Sequence, residues 1–160
     1  MSGDTQLFTV APTITAGAYS AGDVVGGLLS FGAIAATGQT TFGGPNRVGE
    51  GTVRRLKIVD DGNVKAALKL WLFNAAPTTF ADNVAFAPTI DDLKKVVTVI
   101  SIAATDYTTV NGNAIGLVEN LGRSLKIPTD APLYGYLVTD ATPTYAAVTD
   151  LTIELTVWMD

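Results

Sequence analysis

Alternation of apolar and polar residues is the main pattern along this chain, and it predicts β-strands. In the last segment, Leu151–Trp158, aliphatic side chains occupy every second position from Leu151 to Val157. The positions between them are polar and end in Trp158, so we expect this tryptophan on the solvated face of a half-buried strand. The other predicted strands are Leu7–Thr15, Val24–Phe31, Val53–Val59, Val64–Phe73, Val96–Ala103 and Leu133–Thr139.

Turn-forming residues separate the predicted strands. Asp61-Gly62 predicts a hairpin that joins Val53–Val59 to Val64–Phe73. Asn111-Gly112 is a second hairpin signal of the same kind. Gly26-Gly27 predicts a weak point or a bulge inside its strand, because glycine packs poorly there and allows an unpaired residue.

A single domain is expected from the length of the chain, because 160 residues can bury a sizeable core. One short helix is predicted where Thr89-Ile90-Asp91-Asp92 has the pattern of a capping box. Residues 37–51 contain five glycines and Pro45, which predicts a mobile loop, and residues 1–6 are expected to be extended. Short strands with so little helix predict an all-β, single-domain antiparallel β-sandwich over residues 1–160.

Histidine and cysteine are both absent from the sequence. Histidine is the commonest general base near neutral pH, and cysteine is the strongest side-chain nucleophile. Their absence excludes Ser-His-Asp and Cys-His catalysis, the usual zinc, haem and iron–sulfur sites, and disulfides. We therefore expect no enzyme, no cofactor and no metal, with a carboxylate-dependent glycan hydrolase as the remaining catalytic alternative.

Charged residues make up only 16% of the chain, against about 25% in a typical domain. Either part of the surface is buried against other chains, or threonine and glycine cover it. The net charge is −5, and six of the ten basic residues lie between Arg47 and Lys69. An acidic chain with one mild basic cluster is a poor nucleic-acid binder, whereas its basic and acidic regions suit head-to-tail contacts between copies.

No contact with a membrane is expected. Met1–Asp4 lack the basic residues that begin a signal peptide. The longest apolar stretch, Val24–Ala36, contains three glycines and is too short to span a bilayer as a helix. The lack of cysteine is compatible with synthesis in a reducing cytoplasm.

Three short motifs contain the residue types of ligand sites. Asp60-Asp61-Gly62-Asn63 offers oxygen ligands for calcium, but a hairpin turn explains it better. Asp91-Asp92 has the form of a paired acid site, yet helix capping explains both residues. Asn111–Gly116 is similar to a phosphate loop but lacks the Lys-Ser/Thr ending.

Both tryptophans are candidates for contacts with a partner. An exposed Trp158 indicates a binding surface, for a glycan or for another subunit, unless the ring folds over the edge of its own sheet. Trp71 shares its face of a strand with Lys69 and Phe73. That face is expected to pack under a loop or against another subunit.

Several segments, taken together and in order, resemble the capsid decoration (cement) proteins of tailed bacteriophages. The similarity spans most of the chain, although each piece consists of ordinary strand and turn residues. No catalytic motif is carried over from the family. The segments are Tyr19–Gly27, Leu70–Asn74 with Pro77 and Thr79-Phe80, Asp82–Phe86, Leu133–Gly135, Thr142–Tyr145 and Asp150–Thr152.

The resemblance implies a small, jelly-roll-like β-sandwich that assembles as a homo-oligomer, most simply a trimer, on the outside of an icosahedral capsid. Its partner there is the major capsid protein, whose neighbouring copies it bridges at two-fold or three-fold positions. It is made in the host bacterial cytoplasm and acts on the virion surface.

The residues expected at the interface are hydrophobic or aromatic, with arginines as polar anchors: Trp158, Trp71, Phe42, Arg54 and Arg55. Two alternatives to the capsid role stay open. A carbohydrate-binding β-sandwich module needs two or three aromatic side chains clustered on one exposed face. A tail or baseplate component of a phage virion has no distinguishing feature in the sequence.

Overall fold

The computed structural model describes residues 5–34, 40–41, 49–127 and 131–159. Strands dominate this part of the chain. They are β1 (Thr5–Val10), β2 (Val24–Phe31), β3 (Ala33–Ile34), β4 (Thr40–Thr41), β5 (Gly49–Asp60), β6 (Leu68–Phe73), β7 (Val96–Ile102), β8 (Tyr107–Val110), β9 (Asn113–Ile127), β10 (Leu133–Thr139) and β11 (Leu151–Met159). A short helix, α1 (Ile90–Leu93), and a 3-10 turn (Ala104–Asp106) precede β7 and β8. No helix among the described residues is long and apolar enough to cross a membrane.

The strands form two antiparallel sheets, with the orders β1-β11-β5-β9-β8 and β2-β10-β6-β7. The pairs β1–β11, β2–β10, β5–β9 and β6–β7 are nested, as in one long hairpin. Rolling this hairpin up places β11 beside β5 and β10 beside β6. Nested pairing of this kind is the jelly-roll arrangement. The predicted all-β, antiparallel, jelly-roll-like sandwich is therefore confirmed.

The core lies between the two sheets and is mainly aliphatic. In β11 the four inward side chains from Leu151 to Val157 are buried, and Trp158 points to the other side and is exposed. The alternation predicted for this strand is confirmed. β10 crosses the centre of the second sheet, so it is buried on both faces and lacks a clear alternation.

A third layer covers the outer face of the four-stranded sheet. The segment between β6 and β7 folds back over this face, and its Phe80 and Phe86 pack 5.6 and 5.5 Å from the Tyr136 ring. Phe86 also lies 5.3 Å from the half-buried Trp71 ring. The Trp71 face thus packs under a loop, which was one of the two expected arrangements.

Asp61-Gly62 does not form the predicted hairpin. β5 and β6 belong to different sheets, so the turn between them carries the chain across the sandwich. Asn63 and Lys65 have left-handed φ values of 54° and 56°, and the Lys65 backbone N–H donates to Asp60 Oδ2 at 2.7 Å. Residues in this conformation do not continue a strand, so β6 begins at Leu68 and not at Val64.

Other turn signals are correct. Asn111 and Gly112, with φ values of 51° and 85°, form a tight hairpin between β8 and β9. Gly26 and Gly27 have positive φ values, and the register between β2 and β10 shifts beside them, as expected for a bulge. Thr89 caps α1 through the predicted capping box.

Several predicted boundaries move. β1 ends at Val10 and not at Thr15, because the chain leaves the sheet before Pro12, which has no N–H to donate. Thr40–Thr41 and the start of β5 at Gly49 fall inside the predicted loop 37–51 and shorten it. Residues 37–39 and 42–48 lie outside the described residues, as do residues 1–4 of the predicted extended segment 1–6.

Candidate interaction surface

The outer face of the five-stranded sheet is not covered by any described segment of the chain. One row of side chains across it is formed by Leu7, Thr156, Arg55 and Glu119, which are register partners on β1, β11, β5 and β9. Leu7 is 55% exposed although it is a large apolar residue. This face differs from that of the four-stranded sheet, which the chain itself covers.

Trp158 and Arg54 form a contact at one end of this face. The register of β5 shifts between Val53 and Arg55 against both of its neighbours, so Arg54 is the unpaired residue of a bulge. The bulge directs its guanidinium over the Trp158 ring, with Cζ 5.1 Å from the ring centre. This distance is that of a cation–π contact. Trp158 nevertheless stays 43% exposed.

Arg55 lies beside this pair and has unused hydrogen-bonding capacity. Its Nε is buried without a partner, and so is Oγ1 of its register partner Thr156. Among the described residues, neither Arg54 nor Arg55 forms an ion pair, whereas Lys57 pairs with Glu154 in the next row. Two guanidinium groups are therefore available to a partner that carries carboxylates or carbonyl oxygens.

We call this region the Trp158 surface and define it by Leu7, Arg54, Arg55, Thr156 and Trp158. Exposed tryptophan, free arginine and aliphatic area are the composition that protein interfaces favour. The structure brings together three of the predicted interface residues, namely Trp158, Arg54 and Arg55. Phe42 lies outside the described residues.

Trp71 lies on the opposite sheet and takes no part in the Trp158 surface. Its ring is tilted by 56° against Phe86 inside the cluster under the covering segment. Tyr136 fixes this segment, because its hydroxyl accepts a hydrogen bond from the Phe80 N–H at 2.9 Å and donates one to the Thr78 carbonyl at 2.8 Å. The rings of the cluster meet at an angle, so they do not present a flat aromatic platform.

Asp82 holds three separate parts of the chain together. Its carboxylate accepts hydrogen bonds from Thr15 Oγ1 at 2.6 Å, from the Tyr19 hydroxyl at 2.8 Å and from the Gly26 N–H at 2.6 Å. Burial and the hydrogen bond to Asp82 raise the pKa of Tyr19 to about 12. Asp82 thereby attaches the covering segment to β2 and to the loop before it. Sequence reasoning missed this role.

The aspartates that had been considered for chemistry serve the backbone. Hydrogen bonds from the N–H groups of Thr78 and Thr89 hold the pKa of Asp92 well below its usual range, which fits its capping role. Asp91 forms an exposed ion pair with Lys94 at 3.0 Å. In the described ranges, no group of three or more aspartate and glutamate side chains is placed to hold a metal ion.

Asp60 is the most unusual acid of the described residues, because it is buried and one of its oxygens is unsatisfied. Oδ2 accepts the Lys65 N–H, whereas Oδ1 has no partner. Burial raises the pKa of Asp60 above its usual value. The Tyr145 hydroxyl is also buried without a partner, and burial, with Tyr107 and Asp60 nearby, raises its pKa. A turn sequence alone gives no sign of this burial.

Comparisons with known proteins add no family. The chain matches no protein-family model, and no curated protein matches it. The resemblance to decoration proteins and the partner that it implies therefore stay predictions.

Proposed function

We propose that this chain is a virion structural protein that decorates the outer face of a phage capsid and stabilises the shell. The Trp158 surface is the observation that carries the proposal. It is an open sheet face on which Trp158 and two unpaired arginines lie together with the exposed Leu7. The chain covers its other sheet by itself, which leaves this face for a partner.

The proposed action is binding without covalent change. A jelly roll with a closed core offers a rigid sheet face, so little conformational entropy is lost when a partner docks on it. Such a contact stabilises a shell if one copy touches two neighbouring capsid subunits, because their separation then requires the contact to break. The ordered resemblance to decoration proteins supports the major capsid protein as partner and supports a homo-oligomer, most simply a trimer.

The expected chemistry of the partner follows from the Trp158 surface. Arg54 and Arg55 require carboxylate or carbonyl oxygens opposite them, since a buried guanidinium without partners is costly. Trp158 and Leu7 require an apolar patch between those groups. A strongly basic partner surface is excluded by the same argument, because it would bring like charges together.

Co-sedimentation with capsid shells tests the proposal. The purified chain is mixed with empty, expanded shells of the cognate major capsid protein, and bound protein and the melting temperature of the shell are measured. We expect saturable binding and a higher melting temperature. Trp158→Ala should abolish both effects, and Val148→Ala, a change at an exposed apolar residue outside the surface, should not. Absence of binding by the unaltered chain would reject the capsid role.

A carbohydrate-binding module receives less support from the geometry. The Arg54 guanidinium lies over the Trp158 ring, and Trp158 is the one exposed aromatic ring on the described part of this face. The second aromatic cluster is packed edge to face under its own covering segment. A glycan array without hits would remove this alternative, and labelling of a tail instead of a head in virions would favour a tail or baseplate component.

A further inference from the structure

β7 is an edge strand of the four-stranded sheet, and its outer side has no partner strand among the described residues. Its seven residues, Val-Val-Thr-Val-Ile-Ser-Ile, include no charge, no proline and no glycine. Uncharged edges rich in β-branched residues readily pair with another strand, and natural proteins usually protect them. An open edge of this kind indicates a binding site for a further strand.

Other sheet edges are protected or short. The covering segment closes the outer edge of β2, where the Val24 N–H donates to the Val84 carbonyl and the Asn83 N–H donates to the Val24 carbonyl, both at 2.8 Å. β8 has only four residues. β1 is open like β7, but the described residues that flank it, 11–22, carry no charge that could select a partner.

Charges at the two ends of β7 are of opposite sign. Lys94 and Lys95 precede the strand, and Asp106 follows it in the 3-10 turn. In an antiparallel pair of two β7 strands, the start of one strand lies beside the end of the other. The lysines of each copy then lie near Asp106 of the other copy at both ends of the ladder. This complementarity selects a second copy in antiparallel orientation over a parallel one.

Exposed apolar side chains extend this edge. In α1, which leads directly into β7, Ile90 is 70% exposed and Leu93 is 42% exposed. Both lie within six residues of Val96, at the end of β7 that a second copy would approach. Pairing would therefore remove apolar area from water in addition to satisfying backbone groups along the edge.

We propose that β7 pairs with β7 of a second copy, antiparallel, about a two-fold axis at Val99. The two four-stranded sheets then form one continuous sheet of eight strands. The contact uses the opposite sheet from the Trp158 surface, so it leaves that surface free and does not depend on the capsid role. If the chain also forms three-fold rings through another surface, the β7 contact links those rings in pairs.

Sedimentation of the purified chain over a range of concentrations tests the pairing. Val99→Lys places two like charges opposite each other at the axis, and we expect the dissociation constant to rise about tenfold or more. The unaltered chain should then have twice the mass of the variant at equal concentration. Thr108→Lys adds the same charge to the edge strand β8 and should leave the mass unchanged.

Disulfide trapping tests the register without adding a charge, because the chain contains no cysteine. Under oxidation, Val99→Cys should give a covalent dimer, since each residue 99 faces its own copy across the axis. Ser101→Cys should not, because it would lie opposite Val97. This pair of variants keeps the proposal falsifiable if Val99→Lys fails to fold.

Three results would overturn the proposal. One is an unaltered chain that stays monomeric up to its solubility limit. Another is a mass that Val99→Lys does not change or that Thr108→Lys lowers equally. The third is a disulfide yield from Val99→Cys that is no higher than that from Ser101→Cys.

Discussion

The guanidinium of Arg54 lies over the Trp158 ring, with Cζ 5.1 Å from the ring centre. Arg54 reaches this position because it is the unpaired residue of a bulge in β5, whereas Trp158 belongs to the regular outer face of β11. The contact orders two side chains that would otherwise be mobile on the surface. A partner that binds there therefore loses less conformational entropy in fixing them.

Trp158→Ala should weaken binding far more than it weakens the fold. The ring is largely outside the core, so we expect the free energy of unfolding in urea to fall by about 1 kcal/mol or less. Leu155→Ala, in the same strand but fully buried, should cost about 2–5 kcal/mol. If Trp158→Ala instead costs as much as Leu155→Ala while binding is unchanged, the ring is only a cover for its own sheet.

Gly51→Ala should disturb the Trp158 surface from beneath. A Cβ at Gly51 would lie 2.7 Å from the Trp158 carbonyl oxygen, so the end of β11 must move away from β5. Overpacking of this kind costs about 1–3 kcal/mol. In a Trp71→Phe background, acrylamide quenching of Trp158 fluorescence should increase. Gly17→Ala, whose Cβ would meet its nearest neighbour at 3.5 Å, should leave quenching unchanged.

Asp82→Ala should release the covering segment from the four-stranded sheet. It removes the acceptor of three hydrogen bonds, from Thr15, Tyr19 and Gly26, and should lower the free energy of unfolding by about 2–4 kcal/mol. The near-ultraviolet circular dichroism of the aromatic cluster should weaken as well. Asp61→Ala removes an exposed aspartate and is the matched control, with an expected change close to zero. Equal effects of the two variants would contradict the anchoring role of Asp82.

Local signals in the sequence were sufficient for much of the fold. The alternation in β11, the Asn111-Gly112 hairpin, the Gly26-Gly27 bulge and the capping box at Thr89 each depend on residues within a few positions of one another. Such features form for local reasons, so a local pattern predicts them. The aliphatic composition of these segments also indicated two packed sheets.

Long-range features were beyond these signals. β9 was not predicted, because Gly116 and the left-handed residues Asn120 and Gly122 interrupt its alternation where it pairs with the β5 bulge. Asp61-Gly62 has the sequence of a hairpin turn, and only the nested pairing shows that it connects two sheets. Asp82 binds residues 56 to 67 positions away, a distance over which no sequence pattern indicates contact.

The same limit applies to the candidate site. An exposed Trp158 followed from the alternation, but its contact with Arg54 depends on a bulge that the sequence does not indicate. Trp71 and Phe73 were assigned to one face correctly, although only the structure shows which segment covers that face. The Trp158 surface was thus predictable in its central residue and not in its arrangement.

Asp60→Asn should stabilise the fold at neutral pH. Burial raises the pKa of Asp60 above its unfolded value of about 3.9, so the native state binds its proton more tightly than the unfolded state does. The stability associated with that proton is present below the unfolded pKa and is lost as the pH rises through the higher folded pKa. At pH 7 the native state therefore holds a buried carboxylate with one unsatisfied oxygen. Asparagine removes this charge and can keep the bond from the Lys65 N–H through its amide oxygen.

Urea unfolding between pH 3.5 and pH 8 measures this effect. The variant should be more stable than the unaltered chain at pH 7, and the difference should shrink towards acid pH, where Asp60 is protonated in both states. Asp61→Asn, one position along in the exposed part of the turn, should follow the unaltered chain at every pH. If Asp60→Asn is less stable at pH 7, the Asp60 carboxylate is satisfied in the native state, and the orphaned Oδ1 does not describe the protein in solution.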